Sequence, residues 1–481
     1  MAFCKNTCWY AMLLLLLIAM TSCIMVDVTS APAVQNISSM FVGVTIDLHV
    51  MRDGWRTMDF SSQKMLTLAK GLAPCYLRVG GTGADFLIFN RTQERQSKRK
   101  TNRDIDPVSL DFSMSVLDWD TLNQFVQQAG WELIFGLNAL LRANGRWDPT
   151  NAIKLLKYTI EKGYKPAAYE LGNEPDLYPR INNSVSPASL VDDFGTLRHT
   201  LTSMSPSPPL LFGPDTAYVN GYFQQFLQAS KNTTVDAVTW HHYYFAGSSG
   251  TVEKYHNISI LDSLKPLLID AVGNCTQYAP NKPCWLGETS SSYSGGTTGV
   301  SDKYVAGFLW LDKLGLSALY GLKCVIRQSF YGRNNSLIDV NLNPNPDYWL
   351  TILYQRLVGS PVLNVSQNTD PNVRVYAHCT NTDSGMGYQK GSVTVYLMNL
   401  GHDVVSVDIN GGTSQNLYML SPGDGNGLVS PFVKLNGEIL MLPNDMELPP
   451  LKPFYHEGTI ALEALQFGFV VLPDARKWEC L

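Results

Sequence analysis

Charge is scarce in this chain. Only 16% of its 481 residues are Asp, Glu, Lys or Arg, while 45% are apolar. A disordered chain needs the opposite balance, so a packed globular protein is expected. A basic excess is also lacking: 36 Lys and Arg face 41 Asp and Glu, a net charge of −5. No nucleic-acid partner is expected, because phosphate backbones are met by clustered Lys and Arg. Beyond the N-terminus no apolar run reaches the roughly 20 residues of a membrane-spanning helix. The mature chain is therefore expected to be soluble, with no stable membrane insertion. Cysteine clusters with metal-ligand spacing are missing too. His241 and His242 are adjacent, but neighbours on a strand face opposite sides and no third ligand accompanies them. No metal and no cofactor are expected.

What is present begins with an N-terminal segment of one lysine, Lys5, an apolar stretch from 9 to 20, and the small residues Thr21, Ser22 and Cys23. It is too short to span a bilayer comfortably and reads as a secretory signal over 1–23. Sequons at Asn36, Asn90, Asn182, Asn232, Asn257, Asn274, Asn334 and Asn364 agree with a secreted, extracellular or lysosomal glycoprotein. Of nine cysteines, Cys4, Cys8 and Cys23 lie in or beside that segment, leaving Cys75, Cys275, Cys284, Cys324, Cys379 and Cys480. Spacing alone does not give their pairing. Cys275 and Cys284 are near enough in sequence for a local bridge, and Cys75 and Cys324 read as buried thiols in strand-like runs.

Eight apolar or β-branched runs recur at 41–48, 76–79, 133–137, 168–171, 209–212, 238–240, 285–287 and 323–326. Amphipathic helix-like stretches separate them, which implies a parallel sheet. Eight units close a (β/α)8 TIM-type barrel, expected over 24–360. A doubly wound open sheet would need a phosphate-binding glycine turn after its first strand, and Thr45-Ile-Asp-Leu-His has none. From 361 to 481 the pattern turns β-rich, with Gly, Asn and Pro clusters, and predicts an antiparallel β-sandwich to which 26–39 adds a strand. The basic stretch 90–103 reads as a solvated loop between the second and third strands.

Two glutamates stand at matching places. Glu174, in Ala168-Tyr-Glu-Leu-Gly-Asn-Glu174-Pro, follows the fourth run, and Glu288, in Cys284-Trp-Leu-Gly-Glu288-Thr, ends the seventh. Strand ends converge on one rim of such a barrel, and two carboxyls across a rim are the minimum equipment for cleaving a glycosidic bond.

The resemblance runs further. Thr45-Ile-Asp47, Tyr76-Leu-Arg-Val-Gly-Gly-Thr82, Ile134-Phe-Gly-Leu-Asn-Ala-Leu-Leu-Arg142, Trp240-His-His-Tyr-Tyr244, Trp285-Leu-Gly-Glu-Thr-Ser-Ser291 and Pro346-Asp-Tyr-Trp-Leu350 resemble the heparanase-like glycoside hydrolases, family 79. Asn173-Glu-Pro-Asp176 and Val325-Ile-Arg-Gln328 are shared with the leech-type hyaluronidases of that group. The resemblance implies a retaining endo-β-glucuronidase acting on a glycosaminoglycan, heparan sulfate or hyaluronan. It implies Glu174 as acid/base, Glu288 as nucleophile, Asn173 on the sugar 2-hydroxyl, Tyr243 on the nucleophile, and Asp47, Thr82, His241 and Gln328 as subsite liners. It also implies that the turn Tyr293-Ser-Gly295 holds the uronate carboxylate, and that Cys379 and Cys480 are bridged.

The match breaks where vertebrate members place cations for a sulfated polymer. The region 110–120 is rich in acids, and 214–225 has no basic residue. A less sulfated polymer such as hyaluronan gains weight, because densely sulfated chains are bound and steered by positive charge. The rival expectation is a catalytically silent glycosaminoglycan-binding protein of the same fold. Retention of both glutamates argues against it, since the fold itself asks for neither.

Overall fold

The computed structural model describes residues 23–53, 55, 57–92, 111–365 and 370–481. The expected signal segment, Cys23 apart, and the basic stretch from 93 to 103 lie outside these residues. Eight parallel strands close into a barrel in chain order: β1 (Val42–Asp47), β2 (Cys75–Gly80), β3 (Trp131–Leu137), β4 (Ala168–Leu171), β5 (Leu210–Thr216), β6 (Ala237–His242), β7 (Cys284–Thr289) and β8 (Cys324–Arg327). A helix follows each strand. Local chemistry sets their ends: Ser115 and Asp118 form a reciprocal capping box before Val116–Ala129, satisfying backbone donors that the first turn leaves free.

The strands are buried on both faces and so read as continuous apolar runs. Every second residue faces the lumen, and the lower lumen is packed by Ile134, Ala168, Phe212, Ala237, Trp285, Cys324 and Ile326. One pleat higher the same rows change character. Arg78 lies two residues beyond Tyr76, Glu170 two beyond Ala168, and His241 four beyond Ala237. An apolar plug below and a polar layer above direct the chemistry to the C-terminal rim.

The sandwich is mainly antiparallel. Its large sheet carries Val358–Leu363, Val373–Thr380, Val393–Asn399, Phe467–Leu472 and Gln415–Pro422, with Ala33–Asn36 at one edge. Ile24–Asp27 joins Val405–Asn410 and Ile460–Leu462 in a smaller sheet, so the N-terminal segment supplies two strands, one to each sheet. Cys379 and Cys480 are bonded across 101 residues. Cys275 and Cys284 are instead free, buried thiols, so the local bridge expected of them is not formed. The chain does bring them together where Leu264–Tyr278 meets β7, and the adjacent Cys284 thiol, with burial, pushes the Cys275 thiol up. Cys75 and Cys324 are buried thiols. Of the eight sequon asparagines none is buried. Among the described residues no helix is long and apolar enough to cross a membrane.

Candidate active site

Glu174 stands three residues beyond β4, past a sharp turn. Gly172 has φ +82°, and a methyl group there would meet the Tyr178 hydroxyl at 2.3 Å, so the turn admits only glycine. Glu174 itself is held in the left-handed region at φ 50°, ψ 55°, its N–H donating to the Asp215 carbonyl at 2.8 Å. Such a conformation costs on the order of 1–3 kcal/mol for a non-glycine residue and persists where its surroundings fix it. Asp85 does some of that fixing. Its carboxyl accepts the Asn173 N–H at 3.1 Å, the Ala139 N–H at 3.2 Å and the Tyr178 hydroxyl at 2.9 Å. Burial nevertheless pushes Asp85 up to about 7.

Glu288 ends β7 on the same rim. One carboxylate oxygen each of Glu174 and Glu288, with a ring nitrogen of His241, all lie within 4.8 Å of one another. The Glu288 carboxylate is gripped on both oxygens, by Tyr243 Oη at 2.7 Å and Arg78 Nη1 at 2.7 Å. Arg78 is the hub. Its Nε donates to Glu170 at 2.8 Å and its Nη2 to Asn173 Oδ1 at 3.0 Å, with Asp215 at 4.0 Å. Burial disfavours this cation, but the charges of Glu170, Asp215 and Glu288 outweigh it and hold the guanidinium protonated. Within that cluster burial drives the Glu170 carboxyl up despite Arg78. Asp215 is held down, because Arg78 and His241 together overcome its own burial.

His241 bridges the two halves. Its Nδ1 is 3.0 Å from Glu174 and its Nε2 is 3.4 Å from Asp215. Burial opposes a charge on the ring, but Glu288, Asp215 and Glu174 outweigh it and push the imidazole up to about 10. An imidazolium, hydrogen-bonded to Glu174 through Nδ1 and ion-paired with Asp215 through Nε2, offers no lone pair, so the Glu174–His241–Glu288 cluster is poorly suited to a metal ion. His242 points the other way, onto the Tyr244 ring at 4.7 Å, and burial followed by the charge of Lys313 holds it well below the usual histidine range.

The other expected residues lie around this centre. Gln328 Nε2 donates to Asp47 at 3.3 Å, and its side-chain oxygen accepts from Thr45. Asp47 also accepts the His49 N–H at 3.0 Å. Thr82 follows Gly81, whose α-carbon faces the Asp47 carboxylate. Tyr293 is half-exposed and meets Tyr243 edge to face at 6.3 Å, and Gly295 follows it in the same turn. Sequence reasoning assigned no role to Arg78, Asp85, Glu170 or Asp215. A signal existed for two of them: a charge inside a four-residue apolar run, as in Tyr-Leu-Arg78-Val and Ala-Tyr-Glu170-Leu, must be paired to be buried.

Residues 50–315 match the family described as glycosyl hydrolase family 79, N-terminal domain. The chain is 35% identical to mouse (Mus musculus) heparanase over 93% of this chain and 92% of that protein. It is 35% identical to hyaluronoglucuronidase of the leech Hirudo nipponia over 95% of this chain and 99% of that protein. A mouse protein named inactive heparanase-2 is 32% identical over 95% of this chain and 89% of its own length. Among solved structures, a 4-O-α-L-rhamnosyl-β-D-glucuronidase from Fusarium oxysporum shares the fold with a TM-score of 0.71 at 17% identity, covering 93% of this chain and 100% of that one. With the barrel, the rim carboxyls and these relatives in place, the chain is a member of glycoside hydrolase family 79.

Proposed function

We propose that this protein is a secreted, retaining endo-β-glucuronidase that cuts internal glucuronide linkages of a glycosaminoglycan. The observation that carries the reading is the approach of the Glu174 and Glu288 carboxylates within 4.8 Å. A retaining pair stands about 5–5.5 Å apart, whereas an inverting pair leaves room for a water molecule between acid and sugar. The environments divide the roles. Glu288, gripped on both oxygens by Arg78 and Tyr243, is aimed as a nucleophile must be to attack the anomeric carbon. Glu174 is more open, its side chain 22% exposed against 9% for Glu288. It protonates the departing oxygen and later deprotonates the water that releases the sugar from Glu288. Asn173 gives its side-chain oxygen to Arg78, which leaves the amide NH2 to meet a sugar hydroxyl.

Hyaluronan is favoured over heparan sulfate by the acidic cast of the cleft and its surroundings, and the leech relative's name supports that choice. The test is to incubate the purified protein with each polymer between mildly acidic and neutral pH and size the products. Hyaluronan should shorten to oligosaccharides whose new reducing end first appears as the β-anomer by proton NMR. Unchanged polymers in both tubes would instead identify a silent binder of the kind that the inactive relative makes conceivable. An α-anomer would overturn retention alone.

A further inference from the structure

The loops after β7 and β8 are stitched together above the nucleophile. Asn334 Nδ2 donates to Thr298 at 3.1 Å, and Asn335 Nδ2 to the Ser292 carbonyl at 3.3 Å. Arg327 holds the Asn335 carbonyl from beneath through Nε at 3.2 Å and Nη2 at 3.0 Å. The Arg333 N–H donates to Ser336 Oγ at 2.7 Å. The backbone at 333 is thereby fixed, while its side chain is exposed.

That side chain lies along the Tyr293–Gly295 turn. A methyl group on Gly295 would touch Arg333 Cδ and Nη1 at 3.4 Å, and Gly295 has φ +81°, so the turn presents bare backbone to the guanidinium. Tyr293, two residues earlier, packs against Tyr243, which bonds the nucleophile. The charge of Arg333 also reaches Asp47, whose carboxyl is held down by His49 and then by Arg333 against its own burial. Among the described residues the guanidinium has neither hydrogen bond nor ion pair. The other cations at this rim are committed: Arg78 to three side chains, and His241 to Glu174 and Asp215. A polyanionic sugar entering between Asp47, Glu174 and Glu288 meets repulsion unless some cation is left for it.

We propose that Arg333 is the residue that recognises the anionic group of the substrate, pairing its guanidinium with the carboxylate of a glucuronate seated over Glu288. This inference rests on the glucuronidase reading above and adds the group that selects a uronide over a neutral sugar. Guanidinium and carboxylate match as two parallel N–H···O bonds, and such charge-assisted contacts favour the acid by roughly 10- to 100-fold over a neutral analogue.

The test compares kcat/KM for hyaluronan oligosaccharides with kcat/KM for the same oligosaccharides after reduction of their carboxylates to primary alcohols. The wild-type enzyme should prefer the native form by roughly 10- to 100-fold. In Arg333→Ala that preference should collapse toward one, and Arg333→Lys should restore part of it. An undiminished preference, or an equal loss on both substrates, overturns the proposal. If the wild-type protein cleaves neither, the glucuronidase reading fails on its own account. Calorimetric titration with the native and reduced oligosaccharides then decides for Arg333, since equal affinities in the wild type and Arg333→Ala would refute it. Restored preference with heparan sulfate oligosaccharides but not with hyaluronan would assign the guanidinium to sulfate and also overturn the carboxylate pairing.

Discussion

Two of the clusters of buried charge in this molecule make a contrast, and only one of them is built to react. At the rim, Glu170, Glu174, Asp215 and Glu288 share the cations Arg78 and His241. At the seam between barrel and sandwich, Asp312 of the helix Ala306–Leu319 accepts the Tyr376 hydroxyl at 2.6 Å and lies 3.9 Å from Arg374, which pairs with Asp262 at 2.5 Å. Both clusters sit against large apolar side chains. At the seam each acid has a nearby cation or hydroxyl and none faces a cleft. Acids outnumber cations in both, and Asp262 at the seam opens to solvent as Glu174 does at the rim. Only at the rim do two carboxylates approach a common space, within 4.8 Å of each other. Buried charge is therefore no mark of function by itself. Two carboxylates converging on one space that a substrate can enter are the better mark.

The largest effect expected is at the proposed nucleophile. Glu288→Gln keeps the shape, with its amide oxygen accepting from Arg78 and its NH2 donating to a reoriented Tyr243 hydroxyl, but removes the attacking charge, so turnover should vanish while the thermal midpoint stays close to wild type. Glu174→Gln should lower kcat by about 10²–10⁴-fold on sugars with poor leaving groups, the usual scale for lost acid/base assistance. Aryl glycosides, which leave without protonation, should lose less in the first step. A fully active Glu288→Gln would reduce the rim to another structural cluster.

Much of this was legible in sequence, for identifiable reasons. All eight barrel strands announced themselves, because a strand covered on both faces is a run of apolar residues. Glu174 and Glu288 stood out as charges at the exits of such runs. Asp215 did not, because Gly213-Pro214 looks like the end of a strand. In the structure β5 continues through both to Thr216, with a register shift between Pro214 and Thr216 that accommodates the missing N–H. Arg78 was visible but without a role, since its partners are 92, 95 and 210 residues away and no local rule pairs them. Asp85 was invisible for the same reason, its importance resting on backbone N–H groups 54 and 88 residues distant.

Arg78→Met should expose the dependence of the rim on its hub. Removing one partner of a buried ion pair typically costs about 3–5 kcal/mol, because the remaining charge stays buried and unpaired. Here three carboxyls lose the same guanidinium, so the loss in urea unfolding should reach that range, and kcat should fall with it as Glu288 loses its aim. The His241 imidazolium gives a pH-dependent version of this experiment. Its pKa is raised in the folded state, so its contribution is full below about pH 6.5, the unfolded value, and is lost as pH rises through about 10. Asp85, raised to about 7, has the same sign over the lower window between its unfolded value of 3.8 and pH 7. Stability should therefore decline from mildly acidic to alkaline pH by an amount on the order of a few kcal/mol. His241→Asn should flatten the part above pH 6.5. A profile that rises toward pH 10 would contradict the protonated bridge.

The smallest effect is the one that separates the two clusters most cleanly. Tyr376→Phe removes the hydroxyl that Asp312 accepts but keeps the ring stacked on Tyr396 at 5.3 Å and packed over Gly315. Burial holds the Asp312 carboxyl up to about 6 even with that hydroxyl present. Losing the bond pushes the carboxyl higher still and leaves an acceptor partly unsatisfied, a loss of about 1–3 kcal/mol. The penalty should grow as pH rises above 6, because only the ionised form needs the donor strongly. Neither kcat nor KM should change, since no residue of the seam touches the rim carboxyls. Urea midpoints at pH 5 and pH 8, with kinetics at both, provide the measurement. A loss of kcat at unchanged stability would mean that the seam and the rim are one coupled network and that the contrast drawn between them is wrong.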